Sequence, residues 1–186
     1  MNKDYQAMRT LLAIVLLALS SSCVGVVSNA VVHDSGQAAQ AAKAFEQLKA
    51  LAGKWSGTSQ MGPDRAPAEV TYEVVSANST VMERLFPGTP HEMISMYHLD
   101  GGRLLMTHYC AQGNQPRMRL NGLSADPHAT ASFTFTDATN WKGPGELIMH
   151  DLRLTFLSKD HIIADWVAFK DGKADHSASF DFTRQP

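Results

Sequence analysis

From residue 54 to residue 184 the chain is a succession of about ten short stretches in which apolar and polar residues alternate, with no helix-length segment between them. A period of two puts successive side chains on opposite faces of a pleated strand. The stretches are 54–60, 68–75, 80–86, 91–98, 103–110, 117–121, 131–136, 146–157, 161–170 and 175–184. Their joins carry turn residues: Gly62-Pro63, Pro87-Gly88, Asp100-Gly101-Gly102, Asp126-Pro127, Gly143-Pro144-Gly145, Ser158-Lys159-Asp160 and Asp171-Gly172. Gly reaches positive φ without a steric penalty, Pro fixes φ negative, and Asp bonds its own backbone. Parallel strands need a crossover of a dozen or more residues, and these joins are far shorter, so the expected sheet is an antiparallel meander. An open sheet of that many strands has edges that pair with other chains; closure removes them. The expected fold class is therefore all-β, an up-and-down antiparallel barrel of about ten strands with one short N-terminal helix.

That helix is written just upstream. Asp34-Ser35-Gly36-Gln37 has a capping-box pattern, and Ala41, Ala44, Phe45, Leu48 and Leu51 recur at helical spacing. Gly53 is expected to close the helix in a left-handed conformation.

A chain of 186 residues suits one domain with a real core. The first 30 residues differ in kind. Lys3 and Arg9 precede the apolar run 11–19, which has the length of a signal-peptide core and is too short to span a bilayer. The expected organisation is a signal segment over 1–30, a tether and short helix over 31–52, and a barrel domain over 53–186. Two processing routes stay open. Small residues at Ser28-Asn29-Ala30 suit cleavage to a soluble protein, whereas Leu19-Ser20-Ser21-Ser22-Cys23 resembles a permissive bacterial lipobox that would place a lipid on Cys23. Both imply an exported protein, periplasmic or envelope-associated in a bacterium. Both also leave Cys110 as the sole thiol of the folded domain, without an internal disulfide.

The net charge of −2 and the scattered basic residues give no reason to expect a nucleic-acid partner or a polybasic membrane patch. Membrane contact is expected only through a lipid on Cys23. The chain has no Gly-rich phosphate loop, Cys-x-x-Cys pair or His-Glu-x-x-His helix, which removes nucleotide-binding enzymes, thioredoxin-like oxidoreductases and zincins as leading readings.

At Gly53-Lys54-Trp55 and again at Arg184 the chain resembles the calycins, the lipocalins and their relatives. In that group a short helix runs into Gly-x-Trp on the first strand, and an Arg near the end of the last strand lies over the Trp. The resemblance implies a barrel plug made of Trp55 and Arg184, a cation-π contact worth about 0.5–2 kcal/mol. The strand count is more similar to the fatty-acid-binding and nitrobindin branches than to eight-stranded lipocalins. Nitrobindins hold haem through a His, but no segment here matches their haem-ligating stretch, so haem is admitted as a cofactor without an assigned ligand. Separately, the segments MYHLDGGRLLMTHYC and GNQPRM resemble those of uncharacterised bacterial exported proteins of the same barrel type.

The stretch from His91 to Met118 is the densest in reactive side chains. With a turn at Asp100 to Gly102, one face carries His91, Met93, Ser95 and Tyr97 opposite Leu104, Met106, His108 and Cys110. His, Met and Cys are donors suited to copper, zinc or haem iron, and His91, His108 and Cys110 share that face. The metal, if any, stays unspecified. Core filling by Met93, Met106 and Cys110 is the competing reading. The following turn, with Asn114 and Arg117, offers amides and a guanidinium fork for a carboxylate or phosphate at the barrel mouth, or satisfies its own backbone.

These features lead to a ligand-binding expectation: His91, Met93, Tyr97, Met106, His108, Cys110, Asn114 and Arg117 contact a small, largely apolar molecule, a lipid-like acid or haem, without catalysis. Two alternatives stand beside it. One is a small envelope enzyme using Cys110 and His108; the other is an interaction module with a filled barrel.

Overall fold

The computed structural model describes residues 35–125 and 127–186. The segment 1–30 and the capping residue Asp34 lie outside the described residues. Helix α1 (Ser35–Lys49) is followed by β1 (Gly53–Met61), β2 (Asp64–Val75), β3 (Thr80–Leu85), β4 (Met93–Asp100), β5 (Arg103–Tyr109), β6 (Gln115–Ser124), β7 (Ala129–Thr139), β8 (Ile148–Ser158), β9 (His161–Lys170) and β10 (Lys173–Arg184). Every strand pairs antiparallel with its sequence neighbours, and β1 pairs with β10, so the sheet closes into a ten-stranded barrel.

Closure is made by the register Trp55↔Arg184, Gly57↔Phe182 and Ser59↔Phe180. Gly57 is required there, because a Cβ at that position would overlap the Asp181 carbonyl. Backbone, unlike a flexible side chain, cannot turn aside. We therefore expect Gly57→Ala to cost about 1–3 kcal/mol through overpacking at the seam, read as a lower denaturation midpoint. An unchanged midpoint would mean the seam is looser than this register requires.

The inward faces are legible in the burial of alternate residues. β3 buries Val81, Glu83 and Leu85, and β10 buries Ala178, Phe180 and Phe182. One half of the interior is packed solid, with Trp55, Leu104, Met106, Phe133, Leu152 and Phe182 at most 1% exposed. Over that half lies α1, whose buried face is Ala41, Ala44, Phe45 and Leu48.

The helix ends differently from the sequence expectation. It stops at Lys49, continues through tight turns in which Leu51 N–H donates to Leu48 O and Ala52 N–H to Lys49 O, and Gly53 already belongs to β1. Its free carbonyls are taken by Arg184. Nη2 donates to Ala50 O at 2.8 Å and Nη1 to Ala52 O at 2.8 Å, while Cζ sits 4.3 Å from the Trp55 ring centroid. A guanidinium at a helix C-terminus meets both the unpaired acceptors and the negative end of the dipole.

Strand β4 also departs from expectation, lying two residues further along than 91–98. The cause is local. Glu92 accepts from Gly88 N–H at 2.7 Å and Arg84 Nη1 at 3.2 Å, fixing 87–92 as a loop, while Gly101 and Gly102 at positive φ make a tight turn between Asp100 and Arg103.

Candidate functional site

A meander places alternate connections at opposite ends of the barrel. The β4–β5 turn lies under α1, where Gly102 approaches Ala38. At the other end the packing stops, leaving a cavity of about 480 Å³, within the range of roughly 300–1,000 Å³ usual for small-molecule sites. Its wall is mostly apolar: Met61, Leu85, Phe86, Met93, Ala111, Met149, Trp166, Ala178 and Phe180, with Thr89, His91 and His108 as the polar members. The rim loop is held by the Glu92 carboxylate, so the mouth has a defined shape.

Beside the cavity runs a transverse polar row. Register pairs Tyr72 with Glu83, Glu83 with Ser95, and Ser95 with His108, one residue from each of β2, β3, β4 and β5. All four are buried. Glu83 accepts from Tyr97 Oη at 2.8 Å and from Ser95 Oγ at 3.2 Å, and Tyr72 is hydrogen-bonded to it as well. Ser95 Oγ lies 3.0 Å from His108 Nδ1. The other imidazole nitrogen, Nε2, is buried with no partner among the described residues. The ring packs on Trp166, 4.8 Å between centroids.

Burial sets the protonation of this row. It pushes Glu83 up from the ordinary carboxyl range, against the hydroxyls of Tyr97, Tyr72 and Ser95, which pull it down. The Tyr72 and Tyr97 hydroxyls are raised well above 10, first by burial and then by the charge of Glu83. Burial alone lowers His108 to about 4, so its imidazole is neutral at pH 7.

The eight residues expected to contact a ligand are not one group. His91, Met93 and His108 line the cavity, although His91 sits on the β3–β4 loop rather than on a strand. Tyr97 and Met106 face inward but lie in the packed half, Tyr97 against Phe133 and Glu83. Cys110 follows the end of β5, half-buried, with its thiol pushed up by burial. Asn114 is buried, but its amide ties the β5–β6 turn to Leu147 O at 3.1 Å. Arg117 projects from the outer surface, where it pairs with Asp137, and the structure does not bring it to the cavity. Nor do His91, His108 and Cys110 converge on a metal position: among the described residues no group of three or more His, Cys, Asp or Glu could hold one.

Sequence reasoning passed over Glu83 and Tyr72. A signal existed for Glu83, an acid between Val81 and Leu85 on the buried face of its strand. It was masked because the opposite face carries Met82, so the alternation did not declare which side was inward.

The closed, ten-stranded antiparallel barrel fits a calycin-like fold. No protein-family model and no curated protein matches the chain. A crystal structure of a protein of unknown function from the DUF3598 family of Nostoc punctiforme is similar at 9% identity and a TM-score of 0.19, covering 75% of this chain and 99% of that one. At that score the likeness carries nothing about function.

Proposed function

We propose that this chain is an exported binding protein that takes up a small, largely apolar molecule at the open end of its barrel, without catalysis. The observation that carries this reading is the cavity of about 480 Å³ in an otherwise close-packed interior. Export rests on Lys3, Arg9 and the apolar run 11–19.

The cavity argues against a filled barrel acting only as an interaction support. A thiol enzyme is disfavoured on two grounds. Burial raises the Cys110 pKa, which opposes the thiolate, and no hydrogen bond among the described residues joins Cys110 to His108. For haem, His91, His108 and the thioethers of Met61, Met93 and Met149 are lining groups able to ligate iron, and no lining residue is a Lys or Arg to pair with the propionates.

Native mass spectrometry and an absorption spectrum of protein purified from its own host test the reading, through a co-purified mass or a Soret band. Calorimetric titration with 1-naphthol tests it in the isolated protein. We expect one site, abolished by Ala178→Trp, which fills the cavity from β10. Failure of the wild-type protein to take up any apolar probe would overturn it.

A further inference from the structure

The polar row fixes more than the shape of the site. Hydroxyls of Tyr97, Tyr72 and Ser95 converge on Glu83, a set of donors that favours its ionised form, and an ionised carboxylate only accepts, so each of them donates. Tyr97 does so, Tyr72 does so, and Ser95 spends its one proton there as well. Ser95 Oγ is then left as an acceptor toward His108, 3.0 Å away, and the proton in that contact must come from Nδ1. A neutral imidazole carries a single N–H, so Nε2 holds a bare lone pair. That nitrogen is the buried atom without a partner, on a ring that forms part of the cavity wall.

We propose that His108 presents Nε2 to the cavity as a fixed hydrogen-bond acceptor, so that the ligand is a neutral, mainly apolar molecule bearing a hydroxyl or N–H donor. This rests on the reading of the cavity as a ligand site and narrows its chemistry. An ionised lipid-like acid is disfavoured, because a carboxylate would meet a lone pair and an apolar wall with no lining cation. An alcohol, a phenol or an indole-like N–H supplies the missing proton. Trp166 and Phe180 offer flat surfaces for an aromatic body.

Glu83 is a positioning residue in this scheme, acting through Ser95 on a ring nitrogen it does not touch. Glu83→Gln tests that role. A Gln at this place keeps an oxygen for Tyr97 but turns an amide N–H toward Ser95, which frees the Ser95 proton for His108 Nδ1 and leaves the ring proton on Nε2. The acceptor becomes a donor without a change in shape.

Three probes of one skeleton separate the outcomes by calorimetry at pH 7.5: 1-naphthol, 1-acetylnaphthalene, which only accepts, and 1-naphthoate. We expect the wild-type protein to prefer the naphthol by about tenfold over the ketone, the worth of one buried hydrogen bond, and to show no heat with the naphthoate. His108→Leu should remove the preference, and Glu83→Gln should reverse its sense. Long-range ¹H–¹⁵N spectra of the wild-type protein should place the His108 proton on Nδ1, a readout that needs no variant to fold. Equal binding of naphthol and ketone, or a proton on Nε2, overturns the inference while leaving the cavity a ligand site. Absence of binding by all three overturns the reading beneath it.

Discussion

Trp55→Ala should lower the unfolding free energy by about 3–5 kcal/mol, the range for truncating a fully buried large aromatic. The residue is 1% exposed, packs edge-on to Tyr72 with centroids 6.5 Å apart, and donates from Nε1 to Leu51 O at 2.8 Å. Truncation removes the indole from under α1, leaves that carbonyl short of a donor, and takes away the surface on which Arg184 lies. Two further substitutions divide the effect. Trp55→Phe keeps most of the packing and loses the hydrogen bond, so about 1–2 kcal/mol is expected. Arg184→Lys keeps the charge but not the planar fork that joins Ala50 O, Ala52 O and Lys159 O, so helix end and last strand should come apart. The measurement is equilibrium denaturation, with an unchanged slope for each variant if only the native state is affected. A loss below about 1 kcal/mol for Trp55→Ala would mean that α1 and the seam hold without the indole.

The plug illustrates what a sequence of this kind declares. Trp55 and Arg184 lie on the first and last strands, far apart in sequence, and closure of the sheet is what brings them together. Strand order was legible because each turn names itself, as at Asp171-Gly172, and because β9 alternates along its length and β10 does so from Ala178 onward. Features set by loop geometry were not legible. His91 reads as a strand residue until the Glu92 carboxylate is seen to close the loop around Gly88. Arg117 reads as a mouth residue, yet at its position on β6 the pleat directs it outward to Asp137. The polar row was hidden for a different reason. Its members are 72, 83, 95 and 108, far apart in sequence, and only the exact stagger of four strands makes them one rung. A single slip of one residue in β3 would have turned Glu83 to solvent, where an acid needs no explanation.

Acid should destabilise the protein through His108, and the sign follows from its burial. The imidazole has a folded-state pKa of about 4 against 6.5 for the free side chain. Between those values the unfolded chain binds more protons than the folded one, so stability rises with pH across the window. The contribution is complete above pH 6.5 and is lost progressively as pH falls toward 4; below 4 both states are protonated and the loss stops growing. Its size is about 3 kcal/mol. Glu83 acts in the opposite sense. A carboxyl raised from 4.5 holds its proton more firmly in the folded state, which favours folding at low pH and weakens it as pH rises through the raised value. The two windows overlap, so the wild-type profile is shallower than His108 alone would give. The ionisable groups linked to the imidazole are Glu83, through Ser95, and the hydroxyls of Tyr72 and Tyr97, which remain protonated throughout. Every group outside this cluster is common to the variants compared. The informative quantity is therefore the difference between wild type and His108→Gln, measured by denaturation from pH 7.5 to 3.5. That difference should fall by about 3 kcal/mol between pH 6.5 and 4 and be flat on either side. Parallel profiles would mean that the imidazole is solvated when charged, and a solvated imidazole could not serve as the fixed acceptor of the cavity.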